Sequence, residues 1–218
     1  MDDKEERKID EANLDSNQNQ VEDKTVKEPA IGYGMEYTYA DYLKFEFEEM
    51  VELIRGKIFK MSPAPRSYHQ EISANLHLLI GNFFKERPCK VFYAPFDVVL
   101  PIERKTKNKS TTVVQPDICV ICDLSIMDEM GCFGAPDLVI EIISPSTSKK
   151  DMNDKYSVYE EAGVKEYWIV FPKDEVINCY VLEGGKYNYA GAFSRGDEAS
   201  PKIFPELKFS VDEVFPED

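Results

Sequence analysis

Two acidic residues give the first indication of chemistry in this sequence, because each lies in a stretch typical of a β-strand. Asp117 belongs to the apolar run over 113–121, and Glu141 belongs to the run over 136–143. Side chains alternate along a strand, so two adjacent strands can direct both carboxylates to one place. A carboxylate surrounded by isoleucines, as Glu141 is, is costly to bury unless it is paired or binds a cation. A metal site and a buried ion pair are therefore both open interpretations.

Lys155 adds a positive charge to this pair. The helix predicted over 149–162 has an apolar stripe through Met152, Tyr156 and Tyr159, and Lys155 lies inside that stripe. Alone it would be interpreted as a lysine snorkelling at the edge of the stripe, but two inward carboxylates favour a charge-matched site. Two carboxylates and an ammonium group suit Mg²⁺-assisted phosphodiester hydrolysis. Carboxylate oxygens hold Mg²⁺, while the lysine orients water or stabilises developing negative charge.

The elements that must position these residues alternate between strands and helices. Hydrophobic periodicity and turn residues predict, in order, a short helix from the N-cap Thr38 to about 48, a hairpin of 51–54 and 57–61, a helix over 68–85, strands over 90–100, 113–121 and 136–143, a helix over 149–162 ended by Gly163, a strand over 166–171, and a meander of 176–182 and 187–190. This order predicts an α/β fold with a mixed central β-sheet flanked by helices, an N-terminal hairpin and a C-terminal meander. The strands joined by the second long helix should be parallel.

The charge of the chain limits its partners. The 218 residues include 41 acidic and 26 basic residues, for a net charge of −15, which argues against a general binder of nucleic-acid phosphates. Residues 1–32 are expected to be a disordered acidic tail, because the first thirty hold ten acidic and five basic residues and no aromatic ones. Residues 33–218 would then form the folded domain. The basic clusters are Arg104, Lys105, Lys107 and Lys109, with Lys149 and Lys150, and an ordinary solvated loop is the plainer interpretation of them.

A cytoplasmic location is expected. No apolar run approaches the roughly 18 residues that span a bilayer, and the first residues lack the apolar stretch of a secretory signal. The five cysteines have scattered spacing that predicts no disulfide framework. Cys119 and Cys122 are interpreted as small buried hydrophobic residues rather than zinc ligands, because residues three apart in a strand face opposite sides. Cys132 and Cys179 are interpreted in the same way.

A series of motifs runs through the chain between these landmarks. They are Gln115-Pro116-Asp117, Ala135 to Thr147, Lys155-Tyr156 and Tyr159 to Val170, together with Glu52 to Gly56, Met61 to Pro65, His69, and Pro95 to Val98. Combined, they resemble the Uma-two family of "putative restriction endonucleases", within the PD-(D/E)XK nuclease superfamily, over about residues 37–215. The resemblance implies a restriction-endonuclease-like core in which Asp117 and Glu141 match the metal-binding acids. It implies Mg²⁺ or Mn²⁺ as the cofactor and DNA as the substrate.

The chain departs from the superfamily pattern at one position. The residue two after the second acid should be lysine, and here it is Ile143. The resemblance therefore supports catalysis if Lys155, from the following helix, takes the place of the missing lysine. Glu52 is a further candidate as an additional metal ligand or a lysine partner, with a salt bridge at the hairpin edge as the alternative. His69 is a candidate phosphate contact or acid–base group, with a solvent-facing histidine as the alternative.

The leading hypothesis is a Mg²⁺-dependent DNA endonuclease. The alternative is a catalytically inactive interaction module with the nuclease fold, which the net charge and Ile143 both favour. A homodimer through a sheet edge or the terminal meander belongs to this alternative. Asp97, Gln115 and Asp137 complete the set of candidates, although the position of Asp137 after Pro136 indicates backbone capping.

Overall fold

The structure is a computed structural model that describes residues 35–47, 49–61, 67–143 and 149–217. The predicted tail over 1–32 and residues 62–66 and 144–148 lie outside the described residues. In chain order, the helices and strands are α1 (Tyr39–Tyr42), β1 (Val51–Ile54), β2 (Lys57–Lys60), α2 (Ser67–Phe84), β3 (Lys90–Tyr93), β4 (Val98–Val99), β5 (Val113–Val114), β6 (Ile118–Ile121), β7 (Met127–Asp128), β8 (Gly131–Phe133), β9 (Leu138–Ile142), α3 (Lys149–Ala162), β10 (Glu166–Phe171), β11 (Val176–Glu183), β12 (Lys186–Ser194), β13 (Glu198–Ala199) and β14 (Phe209–Ser210).

A mixed six-stranded sheet forms the centre of the fold, as predicted. Its strand order is β12-β11-β10-β9-β6-β3, and β9 and β10, joined through α3, are parallel while the other pairs are antiparallel. Every residue of β9 is buried, as expected for a strand covered on both faces. Helix α2 packs on one face through Ile72, Leu76 and Ile80, and α3 packs on the other through Val158 and Tyr159.

A second six-stranded sheet was not predicted. Its order is β2-β1-β5-β4-β8-β7, so the N-terminal hairpin belongs to this sheet instead of standing alone. The predicted strands over 90–100 and 113–121 are each broken in two, and their halves belong to different sheets. Pro95 and Pro116 lie at the two breaks, and proline has no amide hydrogen for a sheet ladder. The side chains between the two sheets form one apolar cluster with those of α3.

The helices follow their sequence signals closely, except for the first. Asp41 accepts hydrogen bonds from the amide and hydroxyl of the N-cap Thr38, at 2.9 and 2.7 Å. The predicted extension of α1 to about 48 is wrong, because the chain leaves the helix after one turn and Phe45 packs edge-on against Tyr37. At the end of α3, Gly163 has a φ of 93°, the left-handed conformation expected of a helix cap.

One pair of cysteines corrects the sequence interpretation. Cys122 is not a free hydrophobic residue, because it forms a disulfide with Cys89 across a separation of 33 residues. The two residues follow directly from the last pair of the β3–β6 ladder, Lys90 with Ile121, and such partners depend on strand register rather than on spacing along the chain. Cys119, Cys132 and Cys179 are free and buried, as predicted.

No helix in the described ranges is long and apolar enough to cross a membrane.

Candidate active site

Asp117 lies in the short segment between β5 of the second sheet and β6 of the central sheet. The prediction that it lies within a strand is therefore wrong. Its Oδ2 accepts a hydrogen bond from the amide of Ile142 at 2.7 Å. In the β6–β9 ladder Ile118 pairs with Ile140, so the next position along each strand holds Asp117 and Glu141. The two acids predicted to share a site are therefore neighbours at one end of the central sheet.

Glu141 lies in β9 and is only 7% exposed. Its Oε1 accepts hydrogen bonds from Lys155 Nζ at 3.0 Å and from the Tyr159 hydroxyl at 2.7 Å. Burial raises the pKa of Glu141 to about 7, although the Lys155 ammonium group opposes that shift. Neighbouring Asp117 raises the pKa further, since like charges disfavour ionisation. A nearby cation would favour the charged carboxylate.

Lys155 projects from α3 into this site, as the helical stripe predicted. Its Nζ lies 2.8 Å from Glu52 Oε1 in addition to its contact with Glu141. Burial lowers the pKa of Lys155, but the two carboxylates outweigh burial and raise the pKa above its ordinary value. The Lys155 side chain is therefore protonated and fixed between the two carboxylates.

Glu52, on β1 of the second sheet, is buried and not at a hairpin edge. Its Oε1 also accepts a hydrogen bond from the backbone amide of Gln115 at 2.8 Å. Of the two roles considered for it, the geometry corresponds to the lysine partner. Glu52 connects the second sheet to the segment that carries Asp117.

His69 faces the site from the first turns of α2 instead of facing solvent, and its side chain is 12% exposed. Its Nε2 lies 3.1 Å from the carbonyl oxygen of Ile142 and 3.6 Å from Asp117 Oδ1. Burial lowers the pKa of His69, but the Asp117 carboxylate and the Ile142 carbonyl raise it overall. Among the described residues, its buried Nδ1 has no hydrogen-bond partner.

Asp97 and Gln115 form a polar group beside Glu52. Asp97 Oδ1 accepts hydrogen bonds from Gln115 Nε2 at 2.8 Å and from the Tyr42 hydroxyl at 3.0 Å. Sequence reasoning singled out the first two residues and missed Tyr42, whose place at the end of the short helix α1 gave no chemical signal. The group braces the loop that precedes Asp117.

Asp137 is a backbone cap, as expected, and lies at the opposite end of β9 from Glu141. It accepts a hydrogen bond from the Cys122 amide at 2.7 Å and pairs with Lys165 at 2.5 Å. It takes no part in the site.

Two of the described basic residues in the loop over 103–109 are in ion pairs, and Lys109 is exposed. Lys105 pairs with Glu103 at 2.9 Å and Lys107 pairs with Asp128. This agrees with an ordinary surface loop. The side chains of Arg104, Lys149 and Lys150 lie outside the described part of the structure.

Tyr159 is the contact residue that sequence reasoning assigned to the core alone. A tyrosine in place of phenylalanine, four residues after a candidate lysine, was the available signal, because a buried hydroxyl usually has a hydrogen-bond partner.

In the described part of the chain, no three His, Cys, Asp or Glu side chains converge as a metal-binding group. The carboxylates of the described site are those of Glu52, Asp117 and Glu141.

Comparisons with known proteins identify the family and the fold. Residues 38–212 match the family model Uma2, described as "Putative restriction endonuclease". A similar curated protein, "Uncharacterized protein slr1290" of Synechocystis, is 26% identical over 143 residues, which are 64% of this chain and 71% of that protein. A crystal structure described as a "putative nuclease belonging to DUF820", from Anabaena variabilis, has a TM-score of 0.64 and 23% identity, covering 82% of this chain and 97% of that one. The chain therefore belongs to the Uma2 family and has a restriction-endonuclease-like fold.

Proposed function

We propose that this protein is a Mg²⁺- or Mn²⁺-dependent endonuclease that hydrolyses phosphodiester bonds in DNA. Asp117 and Glu141 would hold the metal, and Lys155 would replace the lysine that is missing at Ile143. The observation that carries the proposal is the distance of 3.0 Å between Lys155 Nζ and Glu141 Oε1. A lysine from α3 thus reaches the acid beside which the superfamily pattern places its own lysine.

The donor set fits a magnesium-type cation. Mg²⁺ prefers oxygen ligands, and it usually keeps several waters while taking one or two carboxylates from the protein. Asp117 and Glu141 supply two carboxylates, and within the described residues every hydrogen bond to the Glu141 side chain goes to Oε1. When bound, the cation would polarise a phosphoryl oxygen and lower the pKa of a coordinated water.

Lys155 acts as a fixed positive charge in this proposal. Because Glu52 and Glu141 both hold it as an ammonium ion, it donates hydrogen bonds toward phosphoryl oxygens and does not serve as a base. Glu52 keeps the ammonium group in place. His69, whose Nε2 lies 3.6 Å from Asp117 Oδ1, would be a phosphate contact in this proposal.

Charge sets the expected strength of DNA binding. A net charge of −15 opposes association with phosphates, so we expect weak binding that salt weakens further. A bound divalent cation would invert the local charge at the two carboxylates. We expect this activity in the cytoplasm.

The alternative is an inactive interaction module, for which the net charge and Ile143 remain the supporting observations. Its homodimer would use β3 or β12, the two edges of the central sheet, where Tyr93 and Tyr189 are 59% and 60% exposed.

One experiment separates the two functions. Isothermal titration with Mg²⁺ and Mn²⁺ is combined with cleavage assays on single-stranded, duplex and branched DNA, for the parent and for Asp117→Asn and Glu141→Gln. We expect metal binding and cleavage in the parent and loss of cleavage in both variants. Asp137→Asn is the matched control, because Asp137 is also a buried acid at an end of β9 but lies outside the site. A parent that binds no metal and cleaves none of these substrates would leave the interaction module as the function.

A further inference from the structure

We infer that Tyr159 is a positioning residue that orients the Glu141 carboxylate so that one of its two oxygens stays free for the metal. This inference rests on the proposed function. Its basis is that Lys155 and Tyr159 both donate to the same carboxylate oxygen, Oε1, at 3.0 and 2.7 Å. The other oxygen, Oε2, accepts no hydrogen bond from any described residue.

The two donors come from adjacent turns of one helix. Lys155 and Tyr159 are four residues apart in α3, so their side chains lie one above the other on the face that covers the central sheet. Tyr159 is fully buried, and its ring packs among apolar residues of β9 and β10. The hydroxyl therefore approaches Glu141 from a fixed position.

The two donors have different effects on the carboxylate. The Lys155 ammonium group carries three N–H donors on a flexible stem and can follow Glu141 through a rotation. The Tyr159 hydroxyl sits on a rigid, close-packed ring and cannot follow it. Turning the carboxylate out of its present plane would leave that buried hydroxyl without its acceptor, which is unfavourable in a dry environment. Tyr159 thus keeps Oε1 turned toward α3 and leaves Oε2 for a cation.

The chain contains a matched control for this hydroxyl. Tyr167 is also fully buried, and its ring lies 5.2 Å from the ring of Tyr159. Its hydroxyl has no hydrogen-bond partner among the described residues. Tyr167→Phe therefore removes the same atom from the same cluster without removing a contact to Glu141.

The test measures metal affinity apart from activity. Mn²⁺ binding is titrated calorimetrically for the parent, Tyr159→Phe and Tyr167→Phe, each checked for folding by circular dichroism. Because the loss of a hydrogen bond to a metal-ligating carboxylate weakens metal binding by about 10- to 100-fold, we expect at least a tenfold loss for Tyr159→Phe. Tyr167→Phe should stay within about twofold of the parent, since it removes no such bond.

A second measurement separates positioning from general loosening of the core. The Mg²⁺ concentration giving half-maximal cleavage should rise in Tyr159→Phe, while the rate at saturating Mg²⁺ should stay near that of the parent. If Tyr159→Phe binds Mn²⁺ as tightly as a metal-binding parent, or if Tyr167→Phe loses as much affinity, the inference is wrong and the proposed function stands. A parent without metal affinity would instead overturn the proposed function and the inference with it.

Discussion

Lys155 on α3 and Glu52 on β1 form a buried ion pair, with 2.8 Å between Nζ and Oε1, that joins the helix over the central sheet to the second sheet. Both side chains are nearly closed to water, at 14% and 8% exposed. Glu141 is the third member of the cluster, so the single ammonium group of Lys155 faces the carboxylates of both Glu52 and Glu141. Removing Lys155 would leave two buried acids without their cation, whereas removing Glu52 would leave Lys155 paired with Glu141.

Glu52→Ala should therefore be destabilising mainly through lost hydrogen bonds. Leaving a buried donor without its acceptor costs about 1–3 kcal/mol, and this variant removes the acceptor of the Gln115 amide and one of the two acceptors of Lys155. Urea unfolding of the parent and the variant measures this difference. Glu198→Ala is the control, since the pair of Glu198 with Lys208 is more than half exposed and should contribute no more than about 1 kcal/mol. Equal losses in the two variants would contradict the description of the cluster as buried and coupled.

Moving the lysine from position 155 to position 143 tests whether either position can supply the positive charge. Lys155→Met should lower the cleavage rate about 10²- to 10³-fold, the loss expected when one preorganised electrostatic donor is removed. Ile143→Lys, added to that variant, places an ammonium group at the position where the superfamily pattern has its lysine. Ile143 is partly buried on the same side of the sheet as Glu141, so the added group can reach the site.

We expect the double variant to recover part of the lost rate in the same cleavage assay. Ile143→Met with Lys155→Met is its control, because it has the longer side chain without the charge. Recovery equal to that of the control would show that the site does not use a lysine at either position.

Patterns within single elements were predictable from the sequence. Periodicity over about 18 residues identified α2, and the same reasoning placed Lys155 inside the stripe of α3. Alternation and a glycine turn identified the hairpin. These signals lie within a few residues of each other, so no knowledge of distant partners is needed.

Other relations between distant segments were not predictable. The chain from Lys90 to Leu100 reads as one apolar strand, yet its halves pair in different sheets, because pairing depends on partners tens of residues away. The disulfide was not predicted for the same reason. Tyr159 was missed because a tyrosine in an apolar stripe is interpreted as core, and only the tertiary structure brings its hydroxyl to Glu141.

The bond between Cys89 and Cys122 should contribute measurably to stability. Closing a loop with 33 residues of separation restricts the unfolded chain by about 3–4 kcal/mol in the chain-entropy description. Replacing both cysteines by serine should lower the free energy of unfolding by about that amount, measured with urea under oxidising conditions. Under reducing conditions the parent should approach the variant. Thiol counting on the unfolded parent gives the check, with three free thiols expected if the bond is present and five if it is not.

Glu166 gives a prediction about pH outside the candidate site. The residue is fully buried, and burial raises its pKa above 4.5 in the folded protein, against the effect of hydrogen bonds from Trp168 and from two backbone amides. A raised pKa means that the folded state binds more protons than the unfolded state above pH 4.5, so this carboxyl group stabilises the fold at low pH. That contribution is lost as the pH rises through the raised pKa.

Glu166→Gln removes the titrating group while keeping an acceptor for Trp168. The free energy of unfolding of the parent, minus that of the variant, should therefore decrease as the pH rises from 4.5 toward neutrality. Urea unfolding at a series of pH values measures this difference. In the variant, the side-chain amide of the introduced glutamine can face the Ile203 N–H with a donor instead of an acceptor. That cost does not depend on pH, so it does not change how the difference varies with pH. A difference that increases with pH would mean that the three hydrogen bonds to the carboxylate outweigh its burial, and the sign of the pKa shift would have to be reversed.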